Sequence, residues 1–345
     1  MKAPQRNDGA ARRPAAPAGP RVVIAGTGSY LPERILRNAE LEKMVETTDE
    51  WIVTRSGIRE RHIARADEAT SDMAAEAARR ALQQAGVAAE EVDLLIVATV
   101  TPDMPFPSTA CFVQHRIGAR NAACFDLEAA CSGFLYGIET ARQFITSGTI
   151  KTALVIGAEK LSCVTDWQDR STCVLFGDGA GAAVLRADGD DNRGILTTVM
   201  GADGSLTELL QLPAGGSRNP ATHETVDKRL HYMKMAGREV FKAAVLSMSE
   251  AATRALERCN LTVQDVKWIV PHQANRRIIE AISERLGVPL ERFYLNLERC
   301  GNMSAASVPV ALDEAVRGGR IQRGDVVLLV AFGGGFTWAC SVVRW

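Results

Sequence analysis

Three side chains in this 345-residue chain sit in settings suited to acyl chemistry: Cys131, His272 and Asn302. Cys131 stands in FDLEAACSGFLYGI, where an apolar strand gives way to a helix and Ala129, Ala130, Ser132 and Gly133 keep the turn small. A thiol at a helix start faces free N–H groups and the positive end of the helix dipole, and both favour the nucleophilic thiolate. The competing reading is a buried structural cysteine. The other seven cysteines, Cys111, Cys124, Cys163, Cys173, Cys259, Cys300 and Cys340, lack that setting and read as core residues. His272 follows the apolar run WIV through Pro271 and precedes a helix, which puts it at a strand end level with Cys131. A core histidine bonded to backbone carbonyls is the alternative. Asn302, in RCGNMSAASVPVAL, precedes the helix that an internal repeat equates with the one at Cys131, although an ordinary N-cap asparagine would look the same. FGGGF, from Phe332 to Phe336, falls between two strands and offers bare N–H groups of the kind that hold an oxyanion.

The elements that would position these residues repeat. Apolar periodicity predicts helix 71–85, strand 94–99, helix 108–117, strand 123–127, helix 131–147, strand 153–157 and strand 181–185. The second half predicts helix 238–258, strand 266–270, helix 275–286, strand 293–297, helix 304–317, strand 326–331 and strand 337–343. LLIVATV, ALVIG and VVLLVAF are apolar throughout, so both faces of each sheet should be covered by helices. An approximate two-fold relation between the halves would bring the helix starts at Cys131 and Asn302 face to face, with His272 nearby. The divisions read from this order are an extension over 1–20, rich in Ala, Pro and Arg and expected to be disordered, and two α/β halves over 21–190 and 191–345. The extension's scarcity of acids also permits a transit peptide. The polar stretch 211–231 interrupts the pattern, either as a wall of a binding site or as a connector. GTGSY at Gly26 and GDGAGAA at Gly177 are incomplete phosphate-loop patterns and read as tight strand junctions.

Composition excludes several classes. A net charge of −1 argues against nucleic-acid binding, so any basic surface must be local. The scattered cysteines show no CxxC pair and so suggest neither zinc nor a disulfide framework; a reducing cytoplasmic setting is expected. No stretch is long and apolar enough to suggest a membrane span.

From about Arg21 to Trp345 the sequence resembles β-ketoacyl-acyl carrier protein synthase III of the thiolase superfamily. GTGSYLPE, DEWIVTRSGIRERHIA, AACSGF, FGDGAGAAVL, PHQANRR, GNMSAASVP and AFGGGFTW occur in family order. The resemblance implies a thiolase-like α/β fold, a duplicated αβαβα five-layer sandwich, assembled as a homodimer. It also implies a reaction in which an acyl-CoA primer, acetyl-CoA as the first expectation, is condensed with malonyl-acyl carrier protein to start fatty-acid synthesis. Cys131 would hold the acyl group, and His272 and Asn302 would hydrogen-bond the malonyl thioester carbonyl as carbon dioxide leaves. The N–H groups of Cys131 and Gly334 would hold the second oxyanion. Trp51, Arg55 and Arg170 match positions around the CoA adenine, and Gly237, Phe241 and Asn275 match the pantetheine channel. The segment Gln273, Ala274, Asn275, Arg276 and Arg277 matches the carrier-protein contact, and Phe106 the residue that a partner subunit inserts at the floor of the acyl pocket. No cofactor or metal is implied, because the CoA thioester is a substrate.

The C-terminal glycine loop lacks the second cysteine of degradative thiolases, and Asn302 stands where elongating synthases have histidine. Met303 departs from a common threonine. The rival readings are a secondary-metabolic condensing enzyme with the same triad, a non-catalytic acyl-CoA binder and a thioester hydrolase.

Overall fold

Strand runs that are apolar on both faces need two layers of cover, and the fold supplies them. The computed structural model describes residues 20–188, 190 and 193–345. The extension expected over 1–20 lies, Pro20 apart, outside the described residues. The first sheet contains β1 (Arg21–Tyr30), β2 (Leu94–Ala98), β3 (Ala123–Leu127), β4 (Thr152–Lys160) and β5 (Asp178–Asp188), in the spatial order β1-β5-β4-β2-β3. The second contains β6 (Gly194–Ala202), β7 (Trp268–Pro271), β8 (Val326–Gly333) and β9 (Thr337–Arg344), in the order β6-β9-β8-β7. The two orders match over four strands, the edge strand β3 of the first sheet having no counterpart in the second, and so do the directions. β4 runs parallel to β2 and antiparallel to β5, while β8 runs parallel to β7 and antiparallel to β9.

Alternation along each strand feeds separate cores. Ile96 and Val155 face inward onto α4 (Gly133–Thr146) and α7 (Ser307–Arg317), which lie between the sheets with Phe134, Leu135, Val308 and Leu312 buried there. Leu95, Val97 and Leu154 point the other way, onto the alanine face of α2 (Thr70–Ala85) and onto α3 (Thr109–Ile117). In the second sheet Val327 and Leu329 face the central layer. Leu328 and Val330 meet α5 (Gly237–Arg258) and α6 (Arg276–Leu286) outside it. The result is the expected five-layer αβαβα sandwich.

Two expectations need correction. Gly26 and Gly28 do not mark a strand junction but lie inside β1, where α2 presses on the strand. A Cβ at Gly26 would meet Ala85 N at 2.6 Å and Ala81 O at 2.7 Å. Residues 293–297 are not a strand. Only Phe293 bridges to Ile269, because the buried Gln273 side chain takes the backbone partners that a ladder would need. Its Nε2 donates to Tyr294 O at 3.0 Å, and its Oε1 accepts from Asn296 N and Leu297 N at 3.1 and 3.3 Å.

Candidate active site

Cys131 lies in a one-turn 3-10 segment, Ala130–Ser132, directly before α4, and the matching segment of the second half is Ser304–Ala306 before α7. Both open on a non-glycine residue in the left-handed region, Ala130 at φ 45° and Ser304 at φ 44°. Such backbone is costly outside glycine and persists only where the surroundings enforce it. Here the end of β8 does so: a Cβ on Gly333 would fall 2.5 Å from Cys131 N, so strand and turn are in direct contact. Neither the Cys131 nor the Gly334 N–H has an acceptor among the described residues, and both residues line the same cavity.

That cavity has a volume of about 1290 Å³ and brings together Cys131, His272, Asn302 and Ser304. Cys131, His272 and Asn302 are 9%, 3% and 7% exposed. Asn302 Oδ1 accepts the Ser304 N–H at 2.9 Å, which leaves the amide NH2 as the free donor. The two earlier readings of Asn302 therefore coexist, since the side chain caps its own turn while lining the cavity. His272 is held through its N–H to Val330 O at 2.7 Å, and its buried Nδ1 has no hydrogen-bond partner among the described residues. Burial drives His272 down to about 3, so the ring is neutral at working pH.

The thiol corrects a further expectation. Burial pushes Cys131 up to about 12; the Ser304 hydroxyl pulls it down, and the Glu159 carboxylate adds to the rise. The resting group is a thiol, and the helix start lowers the cost of negative charge only as it develops on sulfur. Glu159 is itself wholly buried and pushed up by burial to about 7, with Thr101 Oγ1 donating to it at 2.7 Å and Ala305 N at 3.5 Å. Ser304 influences both groups, but its buried hydroxyl makes no well-formed hydrogen bond.

With this geometry in view, comparison with known proteins is decisive. Residues 125–204 match the 3-oxoacyl-[acyl-carrier-protein] synthase III family model and residues 256–345 match the model of that enzyme's C-terminal part. β-Ketoacyl-[acyl-carrier-protein] synthase III of Caldanaerobacter subterraneus is 58% identical over 93% of this chain and 97% of its own length. The chain belongs to the 3-oxoacyl-[acyl-carrier-protein] synthase III family. The Aquifex aeolicus synthase III structure superposes with a TM-score of 0.87 at 48% identity, covering 95% of this chain and all of that one. A priming β-ketosynthase of the R1128 polyketide pathway also reaches 0.87, at 39% identity over 95% of this chain and 98% of its own. This member of the synthase III family is thus a condensing acyltransferase of fatty-acid biosynthesis.

The remaining residues singled out from sequence divide by position. Trp51, Arg55, Gly237, Phe241, Ala274, Asn275 and Arg277 line the cavity with the three reactive side chains. Arg170 does not line it but packs on Trp51, with its guanidinium 4.9 Å from the indole centre and that of Arg55 at 4.7 Å. Asn275 caps α6 by accepting Arg277 N at 2.9 Å and donates to Arg55 O at 2.9 Å, tying α6 to the helix Asp49–Ser56. Arg276 and Arg277 are exposed, and among the described residues only Arg276 of the two has an ion pair, with Glu280 at 2.9 Å. Gln273 is the exception: with its side chain fully buried among backbone groups it cannot reach a carrier protein, and its role is to hold the loop that carries His272. Phe106 lies outside the cavity and is 84% exposed.

Of the two readings of 211–231, a wall of the binding site holds at its edges: Gln211 and Leu212, with the flanking Leu210, Met233 and Met235, line the cavity. Sequence reading missed Glu159, whose only signal was a carboxylate ending the apolar strand ALVIGAEK. Cys111 and Cys163 are exposed, not core.

Proposed function

We propose that this protein condenses acetyl-CoA with malonyl-acyl carrier protein to give 3-oxobutanoyl-acyl carrier protein, CoA and carbon dioxide, with Cys131 as acyl carrier. The observation that carries the reading is one cavity lined by the Cys131 thiol on one half of the fold, the His272 imidazole and the Asn302 amide on the other, and by Cys131 and Gly334, whose N–H groups have no acceptor among the described residues. Cys131 Sγ attacks the CoA thioester carbonyl, and the oxyanion forms against the Cys131 and Gly334 N–H groups. CoA leaves with the thiol proton. Malonyl thioester then loses carbon dioxide, which creates negative charge on the thioester oxygen without need of a strong base.

Neutral His272, its proton on Nε2, and the Asn302 amide each donate to that oxygen. The enolate carbon attacks the acyl-Cys131 carbonyl, the same oxyanion hole holds the second tetrahedral oxygen, and the departing Cys131 sulfur takes up a proton. Because His272 remains neutral, it serves as a donor throughout the working pH range.

The cavity is lined by Arg55, Arg238, Lys242 and Arg277, a local cationic rim in a chain of net charge −1 that suits the phosphates of CoA and an acidic carrier protein. Trp51, with Arg55 and Arg170 against it, offers the adenine a stacking surface. The exposed Phe106 would enter the acyl pocket of a second subunit in a homodimer. Purified protein given acetyl-CoA and malonyl-acyl carrier protein should release CoA and form the ketoacyl thioester. Failure with that pair beside turnover of malonyl-CoA or an aromatic acyl-CoA would move the protein to secondary metabolism, the class represented by the R1128 ketosynthase.

A further inference from the structure

Glu159 is a wholly buried titratable group with no part in the steps assigned to Cys131, His272 and Asn302. It stands near the end of β4, and its carboxylate meets both halves of the fold. The loop after β2 supplies Thr99 Oγ1 at 3.1 Å, Val100 N at 3.1 Å and Thr101 Oγ1 at 2.7 Å, and the second half supplies Ala305 N at 3.5 Å. Thr99 Oγ1 accepts Thr101 N at 3.0 Å and Thr101 Oγ1 accepts Lys160 N at 2.9 Å, which turns both hydroxyl protons toward the carboxylate. Among the described residues no cation pairs with it, and the titratable groups that feel its charge are Cys131 and Cys163. Held by hydrogen bonds alone, the carboxylate is pushed up by burial to about 7, so it can take and release a proton near neutral pH.

The turn Ser304–Ala306 lies between Glu159 and Cys131. Gly157 shares a strand face with Glu159, and a Cβ there would fall 2.2 Å from Ala305 O; a Cβ on Gly133, just past Cys131, would fall 3.7 Å from Ala305 Cβ. Ser304, its N–H held by Asn302 Oδ1, lines the cavity with Cys131. Its hydroxyl is buried and has no well-formed partner, so its proton is committed nowhere else, and it favours the charged forms of both Cys131 and Glu159.

We propose that Glu159 is the internal proton acceptor for the Cys131 thiol, reached through the Ser304 hydroxyl. The proposal rests on acylation of Cys131 as read above. As Cys131 Sγ bonds to the acetyl carbonyl carbon, its proton passes to Ser304 Oγ while the Ser304 proton passes to the Glu159 carboxylate. When the carbon–sulfur bond to CoA breaks, the CoA sulfur takes a proton from Ser304 Oγ, and Glu159 returns its own to Ser304. The thiol proton is thereby delivered to CoA, Glu159 ends as the carboxylate it was, and nothing is oxidised or reduced. A thiol that burial holds protonated thus has a place for its proton inside the site during attack.

The test measures single-turnover acetylation of Cys131 by acetyl-CoA, read by intact-protein mass, across the neutral pH range in the wild-type protein, Glu159→Gln and Ser304→Ala. Wild-type acetylation should rise with pH and level off above about pH 7, because only the carboxylate form of Glu159 accepts the proton. In both variants it should fall about a hundredfold near neutral pH and climb about tenfold per pH unit without levelling, since the thiol proton must then go to solvent. Alkylation of Cys131 by iodoacetamide is the control: it consumes preformed thiolate and releases iodide, which takes no proton, so neither variant should slow it by more than about threefold. A parallel fall of acetylation and alkylation would show a structural role alone and overturn the proposal, as would variant acetylation with the wild-type rate and pH profile. Ser304→Ala decides the matter if Glu159→Gln does not fold. A wild-type protein that gains no acetyl group at any pH would overturn the acylation reading together with this one, whereas variants that match an acetylating wild type would overturn this one only.

Discussion

Gly333→Ala probes the oxyanion site at its tightest point. A Cβ there falls 2.5 Å from Cys131 N and 3.0 Å from Ala130 Cβ, and the first of these is a backbone atom that no rotamer change can move aside. Relief to ordinary contact requires a shift of about 1 Å between the end of β8 and the Cys131 turn, and misplacement on that scale costs about a hundredfold in rate. A hundredfold corresponds to about 2.7 kcal/mol of lost transition-state stabilisation, comparable with removal of one oxyanion donor. Gly334→Ala is the matched control, because its Cβ comes no closer than 3.2 Å, to Leu210 O, and its N–H survives.

The assay is single-turnover acylation of Cys131 by acetyl-CoA, with decarboxylation of malonyl-acyl carrier protein measured on the same preparations and thermal melts confirming the fold. Acylation should fall about a hundredfold in Gly333→Ala and within about threefold of wild type in Gly334→Ala. Decarboxylation, which the proposed mechanism assigns to His272 and Asn302, should fall far less than acylation in Gly333→Ala. Wild-type acylation by a folded Gly333→Ala protein, or equal loss of both half-reactions, would refute the division of the site into two oxyanion centres.

Other expectations concern charge and donors. His272→Ala and Asn302→Ala should each lower malonyl decarboxylation about a hundredfold or more while acylation of Cys131 persists; normal decarboxylation in both would remove them from that step. Since Cys131 rests as a thiol pushed up to about 12, its alkylation by iodoacetamide should rise about tenfold per pH unit from about pH 6 to pH 9. A plateau inside that range would mean a standing thiolate. Glu159, pushed up to about 7 from an ordinary 4.5, binds its proton more tightly in the folded state, so its contribution is full below about pH 4.5 and is lost as pH rises through about 7. Urea midpoints should show that decline in wild type and a flatter profile in Glu159→Gln; identical profiles would show that Glu159 does not titrate there. Trp51→Ala should raise KM for acyl-CoA about tenfold with little change in kcat, and an unchanged KM would take Trp51 out of the binding surface.

The repeated order of elements was legible because each central strand is apolar on both faces and each helix is closed by a recognisable break. β1 was not, because Gly26 and Gly28 read as punctuation in one dimension and as room for α2 in three. The false strand at 293–297 has a similar cause: one buried glutamine, distant in sequence, takes the hydrogen bonds of that segment. Cys131, His272 and Asn302 could be picked out because strand ends and helix starts leave signatures, and the cavity brings all three together. The protonation state of Cys131 could not be read, since helix-start electrostatics are local in sequence whereas the burial that opposes them comes from β8 and from Ser304–Ala306, more than 170 residues away. Ser304 and Glu159 escaped for the same reason, as their importance rests on which turn they pack beneath.

The account turns on Cys131 as the acyl carrier, and intact-protein and peptide mass spectrometry after mixing with acetyl-CoA tests that most directly. It predicts one acetyl group per subunit, located on the peptide that contains Cys131 and absent from Cys131→Ala. A folded wild-type protein that gains no acetyl group, or gains it on another residue while Cys131 remains free, would contradict it.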